Sequence, residues 1–285
     1  MGAWGGGLYS DDDALEIKDT ISVMSKMPVD GERLLDLVLK NYDGATELEE
    51  EGGPTFWLVV ADQFEKRGLF SKEALSNAML AIEGGYDIAD MESREMDSGA
   101  IRQRKKSYDA LLSRLNNPRP VKPVRPKSQP RCNVSPGEIY TYPVMNGDSF
   151  NAWFSSWDQA SFHPDGWGAL LVLSVDRVFD WFPVITFSSF YIYEKEKPDL
   201  EVCLNSNIAD FDYAARCHHK PTHMKRMGME LLGKLSLNEK ANRFSNRFYQ
   251  TEHFVINDIS ICSGAKAFKP KVGAGIKVRK VVSSA

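Results

Sequence analysis

At 285 residues, with 42% hydrophobic, 26% charged and 11% aromatic side chains, the chain has the composition of a globular protein and enough apolar material for two packed cores. No apolar run reaches the length of a membrane span and no basic-plus-apolar leader opens the chain, so a cytoplasmic protein without a membrane partner is expected. Cys132, Cys203, Cys217 and Cys262 are scattered without a short repeat, which fits reduced thiols rather than a disulfide framework. The net charge of −4 conceals an asymmetry: residues 1–100 carry 22 acidic and 8 basic side chains, residues 101–131 carry 1 and 10, and the remainder is nearly balanced.

The chain opens on a glycine-rich segment that runs through Trp4 and Tyr9 into Ser10, Asp11, Asp12 and Asp13. Ala14, Ile17, Ile21 and Met24 then follow at helical spacing, with Ser10 expected as the N-cap and Asp13 three residues on. Capping accounts for the acidic triplet better than a carboxylate metal cluster, because three successive residues at a helix start point in different directions. Gly2, Gly5, Gly6 and Gly7 do not suit a phosphate loop: no Lys or Arg precedes Lys18, and an anion would meet three aspartates first. Small residues that let Trp4 and Tyr9 pack under neighbouring helices explain them better.

Further helices are expected over 31–42, over 55–67 behind Pro54, over 72–83 behind a Ser71 cap and ending at Gly84-Gly85, and over 98–115. The third, with Phe56, Trp57, Val60 and Phe64, should lie at the centre of a helical domain spanning residues 1–116. Residues 117–136 hold six prolines interleaved with Lys122, Arg125, Lys127 and Arg131 and read as an extended linker. Those four cations also make the neck a candidate nucleic-acid contact through sequence-independent phosphate attraction.

From 137 to 285 the pattern changes to strands. One is expected over 138–145, with Asn146-Gly147 as a hairpin turn into a second over 149–157, a third over 169–179, a fourth over 184–193 and a fifth over 201–204. A helical insertion is expected over 224–235 and another over 239–249, before final strands at 254–262 and 276–282. The fold class is therefore α+β: an all-α domain, a Pro/basic linker, and a β-rich domain in the form of a bent sheet or small barrel with a helical insertion.

The residues now in hand resemble a known bacterial family. Met1-Gly-Ala-Trp-Gly with Asp12, Asp13 and Ala14 is similar to the N-terminal signature of the DUF4259 family, as is Gly53-Pro-Thr-Phe-Trp-Leu-Val-Val-Ala-Asp-Gln-Phe-Glu with Gly68-Leu-Phe. Pro136-Gly-Glu-Ile-Tyr-Thr-Tyr-Pro-Val with Asn146-Gly147 resembles the start of immunity protein 26. The resemblance covers residues 1–150. It implies a two-part protein that neutralises a toxin or effector, encoded nearby, by binding it without catalysis.

Two constellations bear on chemistry. Cys217, His218, His219 and His223 form the one dense group of ligand-type residues, and the spacing of four between His219 and His223 would place both imidazoles on one helix face, as zinc requires. Pro221 between them and the lack of a neighbouring glutamate argue the other way, for a polar loop or partner surface. The aromatic residues from Trp153 to Tyr193 are too many to point inward from strands whose side chains alternate. Trp157, Phe162 and Trp167 are expected as exposed anchors for a protein partner, with Trp181 beside them. Three functions thus stand open: a binding protein of the immunity or defence type without a cofactor, a metal-dependent enzyme using the Cys/His group, and a nucleic-acid adaptor using the basic neck and tail.

Overall fold

The computed structural model describes residues 5–42, 44–209, 214–239, 241, 260–271 and 273–282. The chain divides into two compact units, residues 1–128 and 129–285. It is α+β, with a helical first unit and a second unit built on a curled, half-barrel antiparallel sheet.

In the first unit, α1 (Asp12–Met24), α2 (Gly31–Asn41), α3 (Gly53–Arg67), α4 (Lys72–Glu83), α5 (Tyr86–Ser93) and α6 (Ser98–Asn116) follow in order. The N-cap of α1 is Asp11 rather than Ser10: Asp11 is extended, and its carboxylate accepts the Asp13 backbone N–H at 2.9 Å. Asp11 also pairs with Arg94 at 2.9 Å, so the first aspartate of the triplet is structural, while Asp12 and Asp13 lie in the first turn of the helix. Every residue of α3 from Gly53 to Glu65 is buried, as expected of a central helix. Leu58 and Ala61 of α3 pack with Ala78 and Ala81 of α4 and with Tyr108, Leu111 and Leu115 of α6. Gly6 lies hard against α6, since a Cβ there would sit 2.0 Å from the Ala100 carbonyl oxygen. Close backbone approach thus explains part of the glycine-rich opening, while Trp4 lies outside the described residues.

Residues 118–135 form no helix or strand, in keeping with their prolines. They are nevertheless held along the units to which they belong. The Lys122 N–H donates to the Gly68 carbonyl at 2.8 Å, and Lys127 Nζ donates to the Lys26 carbonyl at 2.8 Å. Further along, Arg177 donates to the Pro130 carbonyl at 3.0 Å, and Val134 is buried in the core of the second unit.

The second unit is organised by β1 (Glu138–Met145), β2 (Asp148–Ser149), β3 (Gly166–Val178) and β4 (Phe182–Ser189), followed by α7 (Leu200–Asn205), β5 (Asn207–Ile208), β6 (Ala215–His218), α8 (Pro221–Arg226), β7 (Glu230–Lys234), α9 (Ile261–Gly264) and β8 (Ile276–Lys277). The main sheet runs β2-β1-β3-β4-β6, with β7 along the first half of β1 and all pairings antiparallel. Asn146 and Gly147 both take positive φ, 55° and 87°, the two-residue turn that their types favour. Both faces of the sheet are covered. Tyr140, Tyr142, Val144, Leu170, Val172 and Phe187 pack in one core, whereas Ile139, Ala169, Leu171, Leu173 and Phe190 pack in the other. A register shift between Val172 and Ser174 switches the alternation midway along β3.

Several expectations are corrected. The second strand stops at Ser149, because the Asn151 side chain accepts the Trp153 N–H at 3.1 Å and turns the chain. The third ends at Val178, since Phe179 and Asp180 both take positive φ. The fifth strand, expected over 201–204, is α7, whose N-cap Asp199 accepts the Val202 N–H at 2.9 Å. The helix expected over 224–235 is instead the end of α8 followed by β7. The helix over 239–249 lies outside the described residues except for 239 and 241, as do residues 254–259 of a predicted strand; its end, at 261–262, is in α9. The last strand covers only Ile276–Lys277 before a 3-10 turn.

Candidate functional site

The loop that replaces the second strand, residues 150–162, folds back on α8. Phe150 and Phe162 are buried with ring centroids 5.4 Å apart, and Trp157 packs edge-on against Phe162 at the same distance. The indole N–H of Trp157 donates to the Arg226 carbonyl at 2.8 Å, and Arg226 Nη1 returns a bond to the Ala152 carbonyl at 3.0 Å. These anchors leave Trp153 55% exposed and Phe154 39% exposed on the outer side of the loop. Lys220 Nζ stands 4.2 Å over the Trp153 ring, and the His223 imidazole meets that ring edge-on at 4.8 Å. The result is an aromatic platform with Lys220, the residue before α8, over one ring and Arg226 of α8 bonded to the loop that carries it.

Phe162, expected as an exposed anchor, is only 6% exposed. Its ring fills the core because the loop closes over it, and the role of exposed ring passes to Trp153 and Phe154. Trp157 and Trp167 are half-buried, the latter with Lys197 Nζ 5.8 Å from its ring centroid. Trp181 is half-buried in the β3–β4 turn, where its carbonyl accepts from Arg177 at 2.5 Å.

The structure does not gather the Cys/His group. Cys217 faces the core opposite Ile185, and burial pushes its thiol well above the usual range, which disfavours the thiolate. His218, one residue on, stacks edge-on against Phe182 with centroids 5.4 Å apart. His219 Nε2 accepts the Asn133 N–H at 3.4 Å. His223 Nδ1 lies 2.6 Å from Ser260 Oγ, and burial with Lys220 and Arg226 nearby depresses its pKa to about 4. Ser260 and His223 have the spacing of a nucleophile and base, but Ser260 is fully buried, so a substrate cannot reach it. Among the described residues, no three His, Cys, Asp or Glu side chains are placed to share a metal ion. No helix among those residues is long and apolar enough to cross a membrane.

Of the basic neck, Lys122, Arg125 and Lys127 line a groove of about 590 Å³ together with Lys66 and Arg67 of α3 and with no acidic side chain. Arg131 belongs to the β-rich unit.

Sequence reasoning missed a buried polar network in the helical unit. Asp62, 1% exposed, accepts from Tyr9, from Lys66 at 2.7 Å and from Arg114 at 2.5 Å. Burial works against its charge, but these three partners together hold its pKa below the usual range. Asp87, fully buried, accepts from Tyr108 and forms an ion pair with Arg104 at 3.4 Å. Burial, reinforced by the facing carboxylates, raises the pKa of Tyr9 and Tyr108, so both stay protonated as donors. The available signal was the placement of Asp62, Gln63 and Glu65 in an otherwise apolar helix. In comparison with known proteins, no family model, curated protein or solved structure matches the chain.

Proposed function

We propose that the chain is a non-catalytic binding protein that engages a protein partner through the Trp153–Phe154 platform. The observation that carries this reading is the pairing of two large exposed rings with a rigid support. Trp157, Phe162 and the Arg226 bonds fix the loop, so little conformational freedom is lost on binding. Lys220 and Arg226 suit a partner that offers an apolar pocket rimmed by carboxylates. The resemblance of residues 136–147 to immunity protein 26 supports a toxin or effector as that partner, and a DUF4259-like first unit supports a bacterial defence setting. The test is co-expression with the toxin or effector encoded beside the gene. Growth rescue by the intact chain, lost with Trp153→Ala plus Phe154→Ser, is expected. Absence of both binding and rescue would sink the proposal.

A second reading rests on the groove lined by Lys66, Arg67, Lys122, Arg125 and Lys127, which suits a polyanion. It requires DNA or RNA affinity that falls steeply as salt rises. Absent or salt-insensitive binding at low ionic strength removes it.

A further inference from the structure

The polar network of the helical unit borders a cavity of about 240 Å³ between α3, α6 and the turn at 8–9. Three cations, Lys66, Arg104 and Arg114, line it together with one carboxylate, Asp62. That carboxylate is already committed: Oδ1 accepts from Arg114, and Oδ2 from Tyr9, Lys66 and Gln63. Arg104 is not satisfied in the same way. It is 3% exposed, and its Nε is shared between Asp87 and the Met91 sulfur, each at 3.4 Å. Its Nη1 is buried with no hydrogen-bond partner.

A buried guanidinium N–H without an acceptor is costly and uncommon, and it marks a place where an acceptor belongs. The lining is rich in donors because Lys66, Arg104 and Arg114 carry only N–H groups, whereas Tyr108 gives its proton to Asp87 and Ser107 gives its own to the Gln103 carbonyl at 3.1 Å. Leu8 and Leu111 supply an apolar wall. The volume falls below the roughly 300 Å³ at which pockets for drug-sized ligands begin. We infer that this cavity binds a small oxyanion, a carboxylate or phosphate group on a compact body, with Arg104 as its principal donor and Lys66 and Arg114 supplying the surrounding positive charge. The site is separate from the aromatic platform, so the two assignments stand or fall independently.

The full-length protein is titrated with inorganic phosphate and with succinate, using sodium chloride as the ionic-strength control, and followed by calorimetry and thermal shift. Saturable binding of at least one probe is expected, with a Tm rise of about 3–5 °C at ten times Kd. Phosphate alone or succinate alone would assign the head group. Ala110 lies exposed at the cavity rim, so Ala110→Phe blocks entry without entering the core, and Arg104→Lys keeps the charge but removes the fork. Each should weaken binding at least about tenfold, with the unliganded Tm of Ala110→Phe unchanged. Lack of saturable binding by both probes, or undiminished affinity in either variant, overturns the assignment.

Discussion

Replacing Asp87 by Asn tests the electrostatics of the helical core directly. Asp87 is fully buried and is the carboxylate facing the Arg104 guanidinium at 3.4 Å. Asn is nearly the same size and keeps one acceptor oxygen for the Tyr108 hydroxyl, while its amide nitrogen replaces the oxygen that accepts the longer Thr55 bond at 3.4 Å, so the substitution removes charge with little change of shape. Arg104, itself buried, is then left charged without this counter-ion, at a cost of about 3–5 kcal/mol. For a unit of 128 residues that corresponds to a Tm lower by about 10–20 °C. Adding Arg104→Met removes the stranded charge and should recover most of the loss, with a coupling of about 2 kcal/mol or more in the double-mutant cycle. Thermal and urea unfolding of the full chain, followed by far-UV circular dichroism, measures all four variants. A loss below about 1 kcal/mol for Asp87→Asn, or simple additivity in the double variant, would refute the reasoning.

Acid should weaken the β-rich unit. The folded state holds the His223 pKa near 4 against 6.5 for the free side chain, so the unfolded chain takes up a proton first, and stability falls as pH drops from about 6.5 towards 4. Burial lowers the His219 pKa in the same direction. His223→Phe should flatten that dependence in urea titrations at stepped pH, and an unchanged slope would count against it. Gly6→Val should destabilise the helical unit by about 1–3 kcal/mol, because its Cβ would meet the Ala100 carbonyl at 2.0 Å; an unchanged Tm would contradict that packing. Native Cys217 and Cys203 should resist thiol reagents, being fully buried, with the Cys203 thiol pushed up to about 12. Cys132 and Cys262, which are partly exposed, should react sooner; equal rates for all four would speak against these placements.

Local signals explain what could be read from the chain. Alternating side chains and Asn146-Gly147 locate β1 and its turn, and Ser71 with the stripe of Ala74, Leu75, Ala78, Met79 and Ile82 locates α4, because these elements depend on neighbours in sequence. The misses arise where a nearby cap or a distant partner decides. Gly84-Gly85 ends α4 as expected, yet Gly85 at φ 72° leads directly into α5, a helix with no expectation at that position. Val202 and Leu204 alternate like a strand, but the Asp199 cap draws them into α7. The expectation that some rings of the β-rich unit must face outward assumed one buried face, whereas the sheet is covered on both. That difference puts Phe162 inside and leaves Trp153 and Phe154 as the exposed pair. The Asp62 network was hidden for a simpler reason: Tyr9 and Arg114 lie 53 and 52 residues away from it in sequence.

The most direct measurement of the proposed binding role is calorimetric titration of the full-length protein with the proteins encoded beside its gene. Wild type should bind, and Trp153→Ala should cost about 2 kcal/mol or more, roughly a thirtyfold loss of affinity. Equal affinity for wild type and Trp153→Ala would contradict the account.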